Sequence, residues 1–441
     1  MSGPGVPPVP QERSGPLGGF RVIEVASEWT AFAGKLLGDL GAEVILVEPP
    51  EGASMRGYGP FADDHRTVES SLWWWHYQTS KLGVTLDLAA AGDAARFRRL
   101  VASADIVLEG EPPERLGVFG ADGPATLLSE EPRLIWVSVT PFGRDNSRSN
   151  EPATDLTILA GGGPVWACGY DDHRIPPVRG GGNQALHTAG LYAVGATMVA
   201  VLYRGGCGLG QHVDVSMHAA ANVTTEAATF SWLVGRRTLH RQTGRHASVD
   251  PTMPTMVSDA DGLPVQTGAP PRSASEFRAV LNWLDDLGLR DQFLEAFLLE
   301  MGVERGGVRY DEVAADPDAQ AIYGAGRDAL VLIASRLGGY RYFVDGQERG
   351  LATGVIYGPE DVPSDPHYAA RGFPTSVAYE GRAAPVIHPG APFSSPASPF
   401  RLAGRAPHLG EHNDRIFAAP AAAADQDRRI PPASDHGRGC P

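Results

Sequence analysis

Residues 20–48 of the chain read FRVIEVASEWTAFAGKLLGDLGAEVILVE and set its architecture. Two apolar runs, 20–26 and 43–48, have the length and composition of buried β-strands. The pattern between them is that of an amphipathic helix, which is predicted to end at Gly41. The stretch therefore predicts a β-α-β unit.

Further strand patterns follow, with helical patterns between most of them, at residues 83–88, 105–110, 133–140 and 211–217. Strands that alternate with helices predict an α/β fold with a doubly wound, mostly parallel, Rossmann-like sheet. After the last of these strands the pattern changes to several helices. This change predicts a smaller α/β domain that is joined to the first by linkers.

The domain boundaries are predicted from these changes of pattern. Both ends of the chain are rich in Pro, Gly or Ala and lack the apolar periodicity that builds a core. We expect a disordered tail at 1–18, the first part of the large domain at 19–222, the small domain at 223–345, a linker with the return to the large domain at 346–417, and a disordered tail at 418–441.

The composition excludes several classes of protein. The 441 residues carry a formal net charge of −15, which argues against a nucleic-acid partner. Cys168, Cys207 and Cys440 have no paired spacing, so neither a disulfide framework nor a zinc site is predicted. No uninterrupted apolar run reaches the length of a membrane span, and the N-terminus lacks the apolar core of a signal peptide. We therefore expect a cytoplasmic protein with no membrane partner.

Common cofactor motifs are also missing. The first strand-to-helix turn, VASEWTAFAG at 25–34, lacks the G-x-G-x-x-G pattern that brings the backbone close to a dinucleotide pyrophosphate. The sequence contains no phosphate-binding G-x-x-x-x-G-K-[ST] loop and no H-E-x-x-H motif. We expect no nicotinamide, no flavin and no metal.

Six segments of the chain, in this order, resemble the class III (CaiB/BaiF-type) CoA-transferase family. They are residues 21–52, 80–120, 132–163, 188–220, 350–373 and 408–416. The 188–220 segment reads TAGLYAVGATMVAVLYRGGCGLGQHVDVSMHAA. The resemblance implies a sheet domain with a smaller domain, two chains threaded through each other as an interlocked dimer, a CoA thioester as substrate, and a carboxylic acid as the second reactant.

The resemblance also raises the question of the nucleophile. In the family a protein carboxylate attacks the thioester and then carries CoA as its own thioester. That residue is an Asp four positions before a helix glycine, which is Gly190 here, so the corresponding residue is Leu186. The racemase branch needs the same Asp and a His in a G-H-D triplet, which reads Ala153-Thr154-Asp155 in this chain. The nucleophile is therefore missing at its usual place, and racemase activity is the poorer interpretation.

Two nearby side chains are candidates for catalysis. Asp155 matches the family acid that lines the active-site pocket, but it could instead be the N-cap of the following helix. His187 could act as a base or as a hydrogen-bond donor to the thioester, or it could be a helix-start histidine satisfied by the backbone. The glycines at 161–163 match a mobile loop of the family or form a plain turn. The run Trp73 to Trp75 indicates either a bulky acid substrate or simple packing.

The resemblance further assigns contacts to CoA. Glu28 and Trp29 match residues near the pantetheine and the thioester, and the Leu86-Asp87-Leu88 backbone matches the strip along the adenine. Arg115 matches an arginine that pairs with a CoA phosphate. Against this, the family's E-N-F-R-P-G segment is shortened to EGEPPE at 109–114, which removes a basic residue.

Three functions follow from these observations. The first is an active CoA-transferase that uses a non-standard residue. The second is a non-catalytic subunit of a heteromer, in which a paralogous chain supplies the Asp. The third is a repurposed scaffold that binds or transforms a thioester without exchanging the acyl group. The partner chain is accordingly either a second copy or an Asp-bearing paralogue.

Overall fold

A computed structural model describes residues 15–120, 123–225 and 228–418. Of the predicted disordered tails, residues 1–14 and 419–441 lie outside the described residues. The chain divides into two compact units. Among the described residues, the first unit contains 15–165, 179–230 and 366–418, and the second contains 166–178 and 231–365.

The elements are numbered in chain order. The strands are β1 (Arg21–Val25), β2 (Glu43–Glu48), β3 (Lys81–Thr85), β4 (Ile106–Glu109), β5 (Ile135–Thr140), β6 (His212–Ser216), β7 (His240–Gln242), β8 (Arg245–Ser248), β9 (Met256–Ser258), β10 (Pro264–Gln266), β11 (Gly354–Val355), β12 (Pro374–Val377) and β13 (Val386–Pro389). The helices are α1 (Ala31–Asp39), α2 (Leu72–Tyr77), α3 (Ala91–Ala102), α4 (Pro124–Glu130), α5 (Asp155–Gly162), α6 (Gln184–Cys207), α7 (Met217–Asn222), α8 (Ala228–Gly235), α9 (Ala274–Asp286), α10 (Ala296–Glu304), α11 (Tyr310–Val313), α12 (Pro317–Ala334), α13 (Gly339–Glu348), α14 (Pro366–Arg371) and α15 (Asn413–Phe417).

The first unit is built on a six-stranded sheet of order β3-β2-β1-β4-β5-β6, in which every pair of neighbours is parallel. Both faces of the sheet are covered. Val22, Val44 and Leu46 point to one core, and Ile23 and Ile45 point to the other. Burial on both faces explains why these strands read as continuous apolar runs. The prediction of an α/β fold with a mostly parallel sheet is confirmed.

Helix α1 packs closely on the sheet because it contains glycine at a contact point. Glu24 in β1 forms a fully buried ion pair with Lys81 in β3, at 2.7 Å from carboxylate Oε2 to ammonium Nζ. Thr30 also donates its hydroxyl to Glu24 at 3.1 Å. A Cβ at Gly34 would overlap the Glu24 carboxylate, so only glycine leaves room for this pair. Gly41, at φ +103°, ends the turn after α1 as predicted.

Helix α6 is 24 residues long and contacts α1, α5, α7, β5 and β6. Among the described residues it is the one helix long and apolar enough to cross a membrane by length and composition, and 39% of its most apolar window is buried. Leu191, Val199 and Leu202 are 59%, 66% and 77% exposed. Their spacing of eight and eleven residues places them on one apolar face.

The second unit has its own core. Helices α9, α10 and α12 pack against one another and bury aromatic and aliphatic side chains that include Phe277, Trp283 and Tyr342. The strands of this unit form the sheet β11-β10-β9 and the hairpin β7-β8. The antiparallel pair β12-β13 belongs to the first unit.

Candidate active site

The candidate site lies at the carboxyl ends of the central strands of the sheet. From β1 the chain runs outward to β2 and β3 and then returns to β4 on the other side of β1. Such a reversal opens a crevice beyond the carboxyl ends of the two strands, and ligands of open α/β sheets bind there. Glu28 and Trp29 lie in the turn that directly follows β1, at the mouth of this crevice.

Glu28 is a half-buried carboxylate with an aromatic donor. It accepts a hydrogen bond from the Tyr58 hydroxyl at 3.2 Å. Burial raises the pKa of Glu28, the Tyr58 bond lowers it, and the negative charge of Asp155 raises it. Burial also raises the pKa of Tyr58, which keeps this phenol protonated as a donor. Trp29 packs partly buried against the core of the unit.

Asp155 is the first residue of α5 but not its cap. The N-cap is Thr154, whose hydroxyl accepts from the backbone N–H of Thr157 at 3.3 Å. The Thr157 hydroxyl in turn accepts from the Thr154 N–H at 2.8 Å, which completes a capping box. The alternative in which Asp155 caps this helix is therefore wrong.

The Asp155 carboxylate instead holds the start of α6. Its Oδ1 accepts from the backbone N–H of Ala185 at 2.9 Å, and its Oδ2 pairs with the Arg179 guanidinium at 2.9 Å. Arg179 also donates to the Gly182 carbonyl at 2.6 Å. Because Asn183, the N-cap of α6, makes no side-chain cap bond, Asp155 provides the acceptor that this helix start lacks.

His187, in the first turn of α6, belongs to a three-residue hydrogen-bond chain. Its Nε2 lies 2.7 Å from the Tyr77 hydroxyl oxygen, which also accepts from Asn183 Nδ2 at 3.1 Å. The Tyr77 hydroxyl and His187 Nε2 therefore share one hydrogen, and the Asn183 amide adds a second donor to the same oxygen. Burial lowers the pKa of His187, and the charge of Asp155 raises it. The imidazole Nε2 is thus hydrogen-bonded to a side chain rather than to the backbone.

Aromatic rings link these polar groups. The Trp73 ring stands edge-on to Tyr58, with centroids 5.5 Å apart, and lies 4.3 Å from the Tyr77 ring. The Phe32 ring lies 4.4 Å from that of His187. These five side chains form an aromatic wall beside the carboxylates.

The other two tryptophans of the WWW run have packing roles. Trp74 is buried under the Arg56 guanidinium, 3.9 Å from its ring centroid, and donates its indole N–H to a backbone carbonyl. Trp75 stacks on Tyr379 at 4.1 Å. Packing therefore explains Trp74 and Trp75, whereas Trp73 is part of the aromatic wall.

Leu186, which stands at the position of the family nucleophile, lies in the core and is shielded from solvent. Leu186 is 3% exposed and packs in the core between α6 and the sheet. Residues 161 and 162 form the last turn of α5, and Gly163 ends that helix at φ +107°. These glycines thus form the end of a helix that begins with a capping box and closes with a left-handed C-cap.

A pocket of about 350 Å³ opens beside the predicted adenine strip. Its lining includes Leu88, Phe97 and Arg98 together with residues 117–120. Leu86, by contrast, is buried in the core, and its N–H donates to the Glu48 carbonyl. Leu88 is thus the member of this strip that faces the pocket.

Two other predicted CoA contacts lie near this pocket. Asp87 is exposed and accepts from the N–H of Ala89 at 3.0 Å. Arg115 is exposed on the turn that leads into the pocket lining, and its Nε pairs with Glu111 at 3.1 Å. Arg115 is not among the lining residues. Within the described ranges, no group of three His, Cys, Asp or Glu side chains is arranged to hold a metal ion.

Sequence reasoning missed Tyr58, Tyr77, Arg179 and Arg98. Tyr77 directly follows the tryptophan run, so the run itself was a usable signal. Tyr58 and Arg179 meet their partners across 30 and 24 residues of chain, in segments without a motif. Nothing in the sequence near these two residues pointed to the site.

The chain is similar to known proteins over most of its length. Residues 17–291 match the model of CoA-transferase family III. It is 28% identical over 403 residues, 90% of this chain and 92% of the relative, to succinyl-CoA:(R)-benzylsuccinate CoA-transferase subunit BbsE of Thauera aromatica. It is 26% identical over 412 residues, 92% and 96% of the two chains, to succinate–glutarate CoA-transferase of Agrobacterium fabrum. A solved structure of a CAIB/BAIF family protein from Brucella suis superposes with a TM-score of 0.73 at 25% identity and covers 92% of this chain and 99% of that one.

Proposed function

This chain belongs to CoA-transferase family III, and we propose on that basis that its reaction takes place at the cluster of Glu28, Asp155 and His187. The reaction is the movement of CoA between an acyl-CoA thioester and a carboxylic acid. The observation that carries the proposed location is the cluster's place at the sheet reversal, beyond the carboxyl end of β1.

The groups around the crevice suit acyl transfer. Attack on a thioester or an anhydride places negative charge on the carbonyl oxygen, and fixed neutral donors stabilise that charge. His187, whose Nε2 is held by the Tyr77 hydroxyl, is proposed as one of these donors. Asp155 keeps the first turn of α6, and therefore His187, in place through Ala185.

CoA itself is proposed to lie along the segment after β3. The pocket beside Leu88 has an apolar wall for the adenine and a guanidinium, Arg98, for a phosphate. Arg115 stands close by in sequence on the 3-10 turn at Pro113–Phe119 and adds a second positive charge. These two cations would offset part of the charge lost with the shortened 109–114 segment.

The acid is proposed to be bulky or aromatic. Trp73, Tyr58 and Tyr77 supply flat apolar surface next to the carboxylates, and such surface favours a ring or a branched chain over a small diacid. The similarity to a transferase named for benzylsuccinate points in the same direction.

We further propose that a second chain of this family covers the exposed face of α6. Leu191, Val199 and Leu202 form an apolar face that an isolated cytoplasmic protein would leave in water. The partner is a second copy of this chain or an Asp-bearing paralogue. The relative from Thauera aromatica is itself named a subunit.

A second candidate function is favoured by Leu186. If the partner is an Asp-bearing paralogue, this chain is the supporting half of a heteromer and contributes the interface and the pocket walls. The buried leucine at the position of the family nucleophile is the specific observation behind this candidate.

A CoA-exchange assay separates the two. The purified chain is given acetyl-, succinyl- or benzoyl-CoA together with a panel of free acids, and the products are followed by mass spectrometry. Transfer by the chain alone, lost in His187→Ala but retained in the exposed control His65→Ala, supports the catalytic proposal. Transfer that occurs only after an Asp-bearing family member is added contradicts the catalytic proposal. That outcome instead favours the second candidate, in which this chain is the non-catalytic half of a heteromer.

A further inference from the structure

We propose that Glu28 is the nucleophilic carboxylate of this chain and takes the role that the start of α6 leaves unfilled. The inference rests on the transferase function proposed above and names the residue that would carry it.

The start of α6 cannot supply the nucleophile. Leu186 has no reactive atom, and its side chain is packed in the core. Its neighbours in the first turn are Ala185, whose N–H is bound to Asp155, and His187, whose Nε2 is bound to Tyr77. The first turn of α6 contains no carboxylate, so a carboxylate nucleophile of this chain comes from another element.

Asp155 is poorly suited to attack. One of its oxygens accepts from a buried backbone N–H, and the other is paired with Arg179. Both contacts draw electron density toward a helix N-terminus or a cation, which stabilises the carboxylate and lowers its reactivity. An ester or anhydride at Asp155 would also break the contact that holds α6. The contacts of Asp155 therefore suit a residue that holds the start of α6 in place.

Glu28 has the opposite surroundings. The hydrogen bond that the structure gives its carboxylate among the described residues is a single one, from the neutral Tyr58 hydroxyl at 3.2 Å. It lies directly after β1 at the sheet reversal and is half-buried. Burial and the nearby charge of Asp155 both raise the pKa of Glu28, and a more basic carboxylate is a better nucleophile once ionised. The position of Glu28 at the sheet reversal and the raised pKa of its carboxylate both favour it as the nucleophile.

The covalent steps balance without any further reactant. A Glu28 oxygen attacks the thioester carbonyl carbon, the C–S bond breaks, and CoA leaves as the thiolate, which leaves a mixed anhydride. The thiolate attacks the glutamyl carbonyl carbon and releases the donor acid as its carboxylate, which leaves a glutamyl-CoA thioester. The acceptor carboxylate then attacks the glutamyl-CoA carbonyl carbon, which releases the thiolate and forms a second mixed anhydride. The thiolate attacks the acceptor carbonyl carbon of this anhydride, so that CoA joins the acceptor and the Glu28 carboxylate is regenerated. No proton is consumed overall.

This route leaves an isotopic record on the protein. When the acceptor carboxylate carries ¹⁸O, its attacking oxygen becomes the bridge of the second anhydride. Attack of the thiolate on the acceptor carbonyl then leaves that bridging oxygen on Glu28. Trypsin releases Glu28 within residues 22–35, VIEVASEWTAFAGK, and Asp155 within a different peptide, so fragmentation of the peptides locates the label.

The experiment uses the purified full chain with succinyl-, acetyl- or benzoyl-CoA and the matching ¹⁸O-labelled acid. Exchange is followed in the small molecules and the label is followed in the tryptic peptides. We expect ¹⁸O at Glu28, and a loss of exchange of roughly 10³-fold or more in Glu28→Gln. Glu28→Gln keeps an acceptor for Tyr58, so an unchanged thermal unfolding temperature shows that the fold is intact. The matched control is Glu51→Gln, an exposed glutamate in the next strand-to-helix segment, which should exchange and label at the wild-type level.

The other outcomes are distinct from one another. Exchange with the label at Asp155, at another carboxyl group or nowhere on the chain overturns the assignment of Glu28 and leaves the transferase function standing. Exchange that persists in Glu28→Gln does the same. Absence of exchange with every donor and acid overturns the proposed function of the chain and the assignment with it.

Discussion

Asp155 is expected to be an anchor whose loss loosens the start of α6. In Asp155→Ala the fully buried N–H of Ala185 loses its acceptor, which costs about 1–3 kcal/mol. The partly exposed ion pair with Arg179 adds at most about 1 kcal/mol. Together the two losses amount to about 1–4 kcal/mol, with about 2 kcal/mol as the expected value. Asp155→Asn keeps an oxygen for the Ala185 N–H and should cost about half as much.

Hydrogen exchange followed by mass spectrometry measures the loss of stability at the start of α6. A loss of about 2 kcal/mol against opening of the first turn of α6 accelerates exchange of its amide hydrogens by roughly 30-fold. The matched control is Glu151→Ala, which removes a surface pair with Arg148 whose two side chains are 47–48% exposed and should change exchange little. If the amide hydrogens of this turn exchange in Asp155→Ala within threefold of their wild-type rates, where a roughly 30-fold acceleration is expected, Asp155 does not hold the start of α6.

The same variants test the division of roles between the two carboxylates. Because Asp155→Asn leaves Glu28 and its Tyr58 contact unchanged, this variant should still acquire ¹⁸O at Glu28 during exchange, at a reduced rate. Loss of all exchange in a folded Asp155→Asn variant, with wild-type protection of α6, would instead assign the chemistry to Asp155.

Three further outcomes follow from the first unit. Gly34→Ala should lower the free energy of unfolding in denaturant by about 3 kcal/mol or more, because the added Cβ would break the buried Glu24–Lys81 ion pair. The control is Gly92→Ala, where no atom lies within 4 Å of the added Cβ, and it should be neutral or slightly stabilising. Arg98→Ala should weaken CoA binding about fivefold in calorimetry, while Arg96→Ala on the same helix but outside the pocket should not; equal effects would contradict the phosphate role. Burial lowers the pKa of His76 to about 3, below its unfolded value near 6.5, so the unfolded state binds the proton first and stability falls as pH drops below 6.5. Between pH 7 and pH 5 the free energy of unfolding should fall by about 2 kcal/mol more in wild type than in His76→Gln, and parallel profiles would contradict this.

The sheet could be predicted from the sequence because its strands are buried on both faces. The apolar runs at 20–26, 43–48 and 133–140 have no polar alternation, and glycine or polar turns separate them from the helices. Residues 166–178 belong to the second unit, but no apolar periodicity in the sequence marks them. The segment is irregular, and it is held by contacts far along the chain, such as the bond from Trp166 to the Leu239 carbonyl. Local periodicity carries no information about such contacts.

The site was harder to predict than the fold for the same reason. Thr154 and Asp155 are both good N-cap residues, and the sequence alone does not say which one caps α5. Thr157 decides the matter, because its hydroxyl completes the capping box with Thr154 and leaves the Asp155 carboxylate for Ala185, 30 residues later. The chemical type of Asp155 was visible in the sequence, but its partner was not.

The substitution at Leu186 changes what the rest of the site has to do. A carboxylate at the start of α6 would stand next to the N-terminal dipole of that helix, and in this chain Asp155 occupies the same field from α5. With its two oxygens bound, Asp155 preserves the electrostatics and the geometry of the helix start but not a reactive group. Two carboxylates in one crevice with opposite surroundings take different roles, and the one that is half-buried and accepts a single bond from a neutral hydroxyl is the one suited to bond formation. A chain that keeps Glu28 in this state after losing the usual nucleophile retains the means to react on its own, and that is why Glu28, rather than the helix start, is the residue to label first.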